Sequence, residues 1–358
     1  MCESTKKVSP LLPDRRRQAE LFVCDIFDAV PKGDIASMEH PIFSLSTNPD
    51  MKSRRYDYGN KWLEVHPSSY GLATVHDRDV LIFCISQVIA AINEGRPISK
   101  TLSFNAIDLL IATNRGTDGR AYGRLKSAMN RLQGTQIETN ILTGGQEQID
   151  IFSLVDRVKI VRETRDGQML EIEITLSDWV FNAIEAKEVL TYSPKYFRLR
   201  KPLERRFYDL ARKHCGQKER WSISTEKLRL KSGSTSSIGE FNRLLDNIIS
   251  DDQEHNHMPD YAIRYAADNN GNENREIIEF TNRNYKKKIG SGSIDFPILN
   301  PETYEKARKV APQFDVYYLE REWHEMWYSK GQEKLLNPDG AFIAFCKKRY
   351  AADKGGFI

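Results

Sequence analysis

Residues 105–142 read NAIDLLIATNRGTDGRAYGRLKSAMNRLQGTQIETNIL. The pattern predicts a short helix, a Gly-punctuated turn, a longer amphipathic helix and a strand, an order that sets a recognition helix on a protein surface. The longer helix has two faces. Tyr122, Leu125, Met129 and Leu132 recur at helical spacing, while Arg120, Arg124, Ser127 and Arg131 form a second stripe with three positive charges and no acid. A cationic stripe is most often a solvated helix face. It gains weight here because the pattern recurs later in the chain.

Upstream of this stretch, residues 77–93 predict a helix with Leu81, Cys84, Ile85, Val88 and Ile92 on one face, and residues 98–104 a short strand. Beyond the opening stretch, residues 136–142 and a segment starting at Ile149 predict a hairpin around Thr143-Gly144-Gly145-Gln146. Helix, strand, helix, turn, helix, hairpin is the winged-helix order, with the Gly-Gly turn as the expected wing tip. A further hairpin over 158–176 turns at Asp166-Gly167, and a helix is expected over 177–190. Upstream, 1–19 reads as a disordered basic arm that packs against nothing, followed by a β-rich lead-in to residue 75. The N-terminal winged-helix domain is therefore placed at 20–190.

A second domain is placed at 191–283. Its first helix starts at Pro202, a residue tolerated at a helix start, and buries Leu203, Phe207, Leu210 and Ala211. A strand over 221–224, a short helix over 225–230, a turn, a longer helix over 238–249 and a hairpin tipped by Asn270-Gly271 follow. With Ile238 laid on Tyr122, Phe241, Leu245 and Ile248 fall on Leu125, Met129 and Leu132, and Ser236, Glu240, Arg243 and Asn247 fall on the first helix's cationic stripe. Arg pairs guanine, Asn pairs adenine and Glu accepts from cytosine, so this second stripe suits base reading, and the first suits phosphates. A Lys-, Gly- and Ser-rich linker covers 284–300. A C-terminal helical module over 301–358, dense in Trp and Tyr, carries Lys347, Lys348 and Arg349 in its last helix and reads as a packing module or, alternatively, as a partner-docking surface or extra DNA contact through those three cations. Overall the expected class is α+β, with two tandem winged-helix domains and this small module.

Net charge is only +3 over 358 residues, so any nucleic-acid contact has to come from local clusters. The densest runs from Lys195 to Lys213, with eight Lys or Arg against Glu204 and Asp209. Its members Arg198, Arg200, Lys201, Arg205 and Arg206 join the DNA-contact candidates. So do Ser234, Ser237 and Asn242 around the second stripe, and Lys286 and Lys287 in the linker. Five widely spaced cysteines fit reduced thiols in a cytoplasm, and no apolar run suggests a membrane span or secretory signal.

No Gly-Lys dipeptide is present, which excludes a phosphate-binding loop and an ATP-driven motor. His255-Asn256-His257 lies in a polar, acidic context without convergent partners, so no metal, cofactor or catalytic residue is expected. A winged-helix repressor and a metal-dependent nicking enzyme are the rival functions.

Four segments carry a resemblance: MEHPIFSLS (38–46), GLATVHDRDVLIFCISQ (71–87), GRAYGRLKSAMNRLQGTQIET (119–139) and YFRLRKPLERRFYDLARKHCG (196–216). They resemble the replication initiator protein A family of bacterial plasmids, relatives of the theta-type initiators. The resemblance implies a non-enzymatic protein that binds direct repeats in double-stranded origin DNA, helps to open the origin, and recruits the host replication initiator and replicative helicase. It also implies a homodimer in equilibrium with monomer, the dimer repressing its own gene. By motif position, Ser236, Glu240, Arg243 and Asn247 would read major-groove bases, while Arg120, Arg124 and Arg131 would grip the backbone or a second groove.

Overall fold

The computed structural model describes residues 9–15, 31–58, 61–140, 150–162, 169–186, 188–267, 273–285, 297, 299–311, 316–329, 335 and 337–354. The turn tips expected at 143–146, 166–167 and 270–271, together with Lys286 and Lys287, lie outside them. Two compact units divide the chain, Met1–Gln87 with Ser99–Arg283, and Val88–Ile98 with Asn284–Ile358. None of the described helices is long and apolar enough to cross a membrane.

In chain order the first unit begins with β1 (Lys32–Asp34), α1 (Ile35–Glu39), β2 (Arg54–Tyr58), β3 (Lys61–His66) and the apolar helix α2 (Arg78–Asn93), whose last turns fall to the second unit. Then come β4 (Thr101–Asn105), α3 (Ala106–Ala112), α4 (Gly119–Gly134), β5 (Gln136–Thr139), β6 (Asp150–Ser153), β7 (Val155–Arg162) and β8 (Met169–Leu176). α5 (Asp178–Glu185), β9 (Val189–Thr191) and a 3-10 turn at Pro194–Arg198 lead to α6 (Pro202–His214). β10 (Arg220–Ser224), α7 (Thr225–Ser232), α8 (Ile238–His255), β11 (Tyr261–Ala267) and β12 (Glu273–Asn282) complete it.

Strand pairing reveals a repeated connectivity. β4 precedes two helices and pairs with β8, the second strand of the β7–β8 hairpin, giving the antiparallel order β4-β8-β7. β10 precedes α7 and α8 and pairs in the same way with β12, giving β10-β12-β11. The hairpin equivalent to β11–β12 is therefore β7–β8, and not the hairpin with the Gly-Gly turn that the local pattern suggests as a wing. β5 and β6 instead extend β2 and β3 into a separate sheet of order β2-β3-β5-β6. Both hairpins carry turn residues between alternating strands, so local pattern cannot tell which one meets β4.

Helix ends follow from their capping residues. Asp118 accepts the Ala121 amide at 2.8 Å to start α4, and Ser237 accepts the Glu240 amide at 3.3 Å to start α8. Gly233 ends α7 at φ +73°, where a Cβ would lie 2.6 Å from Pro41, so backbone conformation and close packing both require glycine. Two boundaries differ from expectation. α8 continues through His255, because Asp252 is buried and accepts the Met258 and Ile263 amides; and the segment expected to be helical up to Leu190 breaks after Glu185, where β9 pairs antiparallel with β1.

α6 is the hub of the first unit. Every side chain from Leu203 to Ala211 is buried. Phe207 meets Phe241 of α8 and Phe280 of β12 edge-on, with ring centroids 6.2 and 6.3 Å apart. Toward the earlier elements, Arg205 bonds Asp79 of α2 at 2.6 Å and Asp209 bonds Arg78 at 2.5 Å. The boundary expected at residue 190 thus falls inside one compact unit.

The second unit includes α9 (Pro301–Val310), α10 (Val316–Ser329) and α11 (Pro338–Lys354). Tyr304, Ala307, Leu319, Trp323, Phe342 and Cys346 form its core, so at least Tyr304 and Trp323 of its aromatic residues are packing elements.

Candidate nucleic-acid interface

The two longer helices, α4 and α8, present different chemistry. On α4 the core side is Ala121, Leu125, Ala128, Met129 and Leu132, which leaves Arg120 and Arg124 exposed. Ser127 is half-buried and its hydroxyl donates to the Gly123 carbonyl at 3.1 Å. Arg131 is held as a fork on Asp77, Nε and Nη2 donating at 2.7 and 2.8 Å. These hydrogen bonds raise the guanidinium's pKa above its ordinary value. Arg131 is therefore a fixed charge at the base of the stripe, and Arg120 and Arg124 are its outer cations.

On α8, Phe241, Leu245, Ile248 and Ile249 face the core, and Glu240, Arg243 and Asn247 are exposed. Arg243 lies side-on to Glu240, Nε donating to one carboxylate oxygen at 2.8 Å and Nη2 to the other at 2.7 Å. The hydrogen bond from Arg243 holds the Glu240 carboxyl below the usual carboxylate range. This geometry matters because a guanidinium carries five N–H donors. Glu240 takes the Nε edge and leaves the Nη1–Nη2 end free, the end that can straddle the two acceptors of guanine. Ile238, at the start of the helix, is 58% exposed.

The other candidates have assigned places. Ser237 is the α8 cap, the Ser234 hydroxyl accepts the Ser236 amide at 3.4 Å, and the Ser236 carbonyl accepts Arg229 at 3.3 Å. Asn242 is half-buried beside them. Arg198 donates to the Leu12 carbonyl at 2.8 Å, Lys201 pairs with Asp251 at 2.6 Å, and Arg200 is exposed.

Arg205 and Arg206 do not belong to the surface. They are 3% and 2% exposed. Arg205 is engaged by Asp79 and by the Phe197 and Leu199 carbonyls. Arg206 donates to Ser37, Met38 and Glu39 carbonyls at the end of α1 and to the Lys231 carbonyl at the end of α7. It satisfies the orphan acceptors of two helix C-termini at once. Two of the eight cations in the densest charge cluster are therefore internal wiring, while Arg200 stays exposed.

The N-terminal segment is also placed differently from expectation. The Leu12 amide donates to the Arg198 carbonyl at 2.9 Å, the Arg15 amide to Asn114 Oδ1 at 2.7 Å, and Asn114 Nδ2 to the Pro13 carbonyl at 3.1 Å. The described part of the arm is fastened from Leu12 to Arg15.

A cleft of about 580 Å³ gathers Arg124, Ser127 and Arg131 with Arg200 and Arg205, and also with Arg15, His76 and Arg115, none of them among the residues expected to contact DNA. The α8 residues lie outside it. A second groove of about 530 Å³ places Ser234 near Arg54, Arg55, Lys227 and Lys231, of which only the Arg54-Arg55 pair stands out in the sequence as a cluster. Among the described residues no three His, Cys, Asp or Glu side chains are grouped to hold a metal; His257 is buried against Glu204 at 3.0 Å.

Residues 32–263 match the family model described as replication initiator protein A. A protein of Wigglesworthia glossinidia brevipalpis named as a replication protein is 38% identical over 282 residues, covering 78% of this chain and 98% of its own. Two crystal structures of domains 2 and 3 of RctB align at TM-scores of 0.49 and 0.46 with 12% identity, over 67% of this chain and 94% and 93% of theirs. On the extent of the family match and the identity to a relative aligned over nearly its full length, the chain belongs to the replication initiator protein A family.

Proposed function

We propose that the chain initiates plasmid replication, without enzymatic activity, by binding direct repeats in duplex origin DNA through two winged-helix domains in its first unit. A strand-helix-helix-hairpin order that occurs twice, interrupted by β5 and β6 in the first instance, with the first strand paired to the last in both, supports two such domains. α4 and α8 then stand at equivalent positions as the helices offered to DNA.

The side-on Glu240–Arg243 pair carries this reading. A guanidinium buttressed on one edge and free at its end is oriented for guanine before DNA arrives, and Asn247 one turn on suits adenine. Ile238 supplies an apolar contact for a thymine methyl. Arg120, Arg124 and Asp77-braced Arg131 take backbone phosphates, with Arg200 beside them. Lys286 and Lys287 remain candidates for flanking phosphates. Family membership supports the remaining steps: opening of the origin, recruitment of a host initiator and helicase, and repression of the chain's own gene by a homodimer in equilibrium with the binding monomer.

The test is footprinting on DNA flanking the chain's own gene. Regularly spaced protection is the expected result. A covalent 5′-linked nick on supercoiled origin DNA with divalent metal would replace this reading with that of a nicking enzyme.

A further inference from the structure

The cleft beside α4 is lined by more cations than anions. Its volume of about 580 Å³ lies in the range of small-molecule sites. Six arginines and two aspartates line it, and both carboxylates are already engaged. Asp77 takes the Arg131 fork and the Thr74 amide at 2.8 Å; Asp79 takes Arg205 at 2.6 Å and Arg115 at 3.2 Å. Arg124 and Arg200 are exposed and pair with no carboxylate among the described residues.

A cation would find no free acceptor charge there, whereas an anion meets guanidinium groups that internal bonds already orient. Planar forks of this kind match phosphate oxygens two at a time. Leu12, Pro49 and Phe197 add apolar wall beside the charged end, the mixed lining that suits an organic phosphate better than a bare ion.

We propose that this cleft binds a phosphate ester, gripped by Arg124 and Arg200 over the braced Arg131. The ester has two sources, a free nucleoside phosphate or the backbone of a DNA strand. The second source rests on the proposed DNA binding, the first does not.

The full chain is titrated calorimetrically with inorganic phosphate, with adenosine and guanosine triphosphates, and with a short duplex at several salt concentrations. The double variant Arg124→Gln/Arg200→Gln, both single variants and Arg220→Gln, an exposed arginine outside the cleft, are compared. One-to-one binding of a nucleotide that weakens at least tenfold in the double variant and is unchanged in Arg220→Gln supports the proposal with a free ligand. If nucleotides do not bind but the duplex salt slope drops by about two units in the double variant, the source is the backbone. Equal nucleotide and duplex binding by the double variant and the parent overturns the proposal. Since both arginines are exposed, thermal unfolding of each variant should match the parent; if the double variant unfolds, the single variants decide. No sequence preference of the parent on origin DNA, with cleft binding intact, would refute the proposed function and leave the cleft standing.

Discussion

Arg78 of α2 and Asp209 of α6 meet at 2.5 Å with side chains 1% and 2% exposed, 131 residues apart in the chain. Asp209 also accepts the Tyr192 hydroxyl at 2.8 Å, so the carboxylate is satisfied on both oxygens. Burial raises its pKa and Arg78 opposes that rise, leaving it above the ordinary aspartate value. A pair so enclosed contributes little when intact, but an unpaired partner left in the interior is costly.

Arg78→Met or Asp209→Leu alone should therefore destabilise the first unit by about 3 to 5 kcal/mol, and the double replacement should recover most of the loss. Urea unfolding of the four proteins measures it. Single variants as stable as the parent would mean that α2 and α6 are not tied through this pair.

Arg206 and Arg124 separate an internal cation from an external one. Arg124→Ala should weaken binding to all DNA sequences and make the salt slope shallower by about one unit, with stability unchanged. Arg206→Met should lower stability, because it strips donors from two helix ends, and leave the slope of the folded protein unchanged. Salt titrations of binding alongside thermal unfolding check both, and a changed slope for Arg206→Met would place it back at the surface.

Gly123 is exposed in the middle of α4, and a Cβ there would meet nothing within 4 Å. Gly123→Ala should stabilise the free protein by up to about 1 kcal/mol through helix propensity. If DNA lies on this face, the same methyl weakens binding. Unchanged affinity in the stabilised variant would move the contact away from the glycine side of the helix.

Burial pushes His40 down to about 4, with Glu39 opposing and Arg206, Lys213 and Lys231 adding to the drop, and burial beside Arg205 and Arg115 holds His76 well below the usual histidine range. Both are neutral in the folded chain at pH 7, and the unfolded chain takes up their protons first as pH falls. Stability contributed by neutral His40 is thus full above pH 6.5 and is lost progressively toward pH 4, about 2 kcal/mol of it by pH 5. Urea unfolding at pH 7 and pH 5 should show that loss, and His40→Gln should reduce it. An equal loss in the variant would assign it to other groups.

The elements of the first unit were largely legible, because α2, α4 and α8 announce themselves through apolar spacing and capping residues. What local pattern could not carry was pairing at long range. The β5–β6 and β7–β8 hairpins look alike in sequence, and only the register of Phe104 on Ile172 shows which one continues the sheet of β4. Arg205 and Arg206 are hidden within the Lys195–Lys213 cluster for the same reason: Arg205 is answered by Asp79, far upstream, and Arg206 by the carbonyls of α1 and α7. By contrast the exposed Arg120, Arg124, Glu240 and Arg243 were visible, since helical periodicity alone puts them opposite the core.

Quantitative binding of the chain and of Arg243→Ala to repeated duplex sites flanking its gene, each measured against random DNA at the same salt, tests origin recognition by α8 most directly. Regularly spaced protected repeats are expected, with a loss of roughly tenfold or more in the variant confined to those repeats and preference relaxed at one guanine. Equal loss on repeats and random DNA would make Arg243 a phosphate contact, and no preference of the parent for any flanking site would contradict origin recognition by α8.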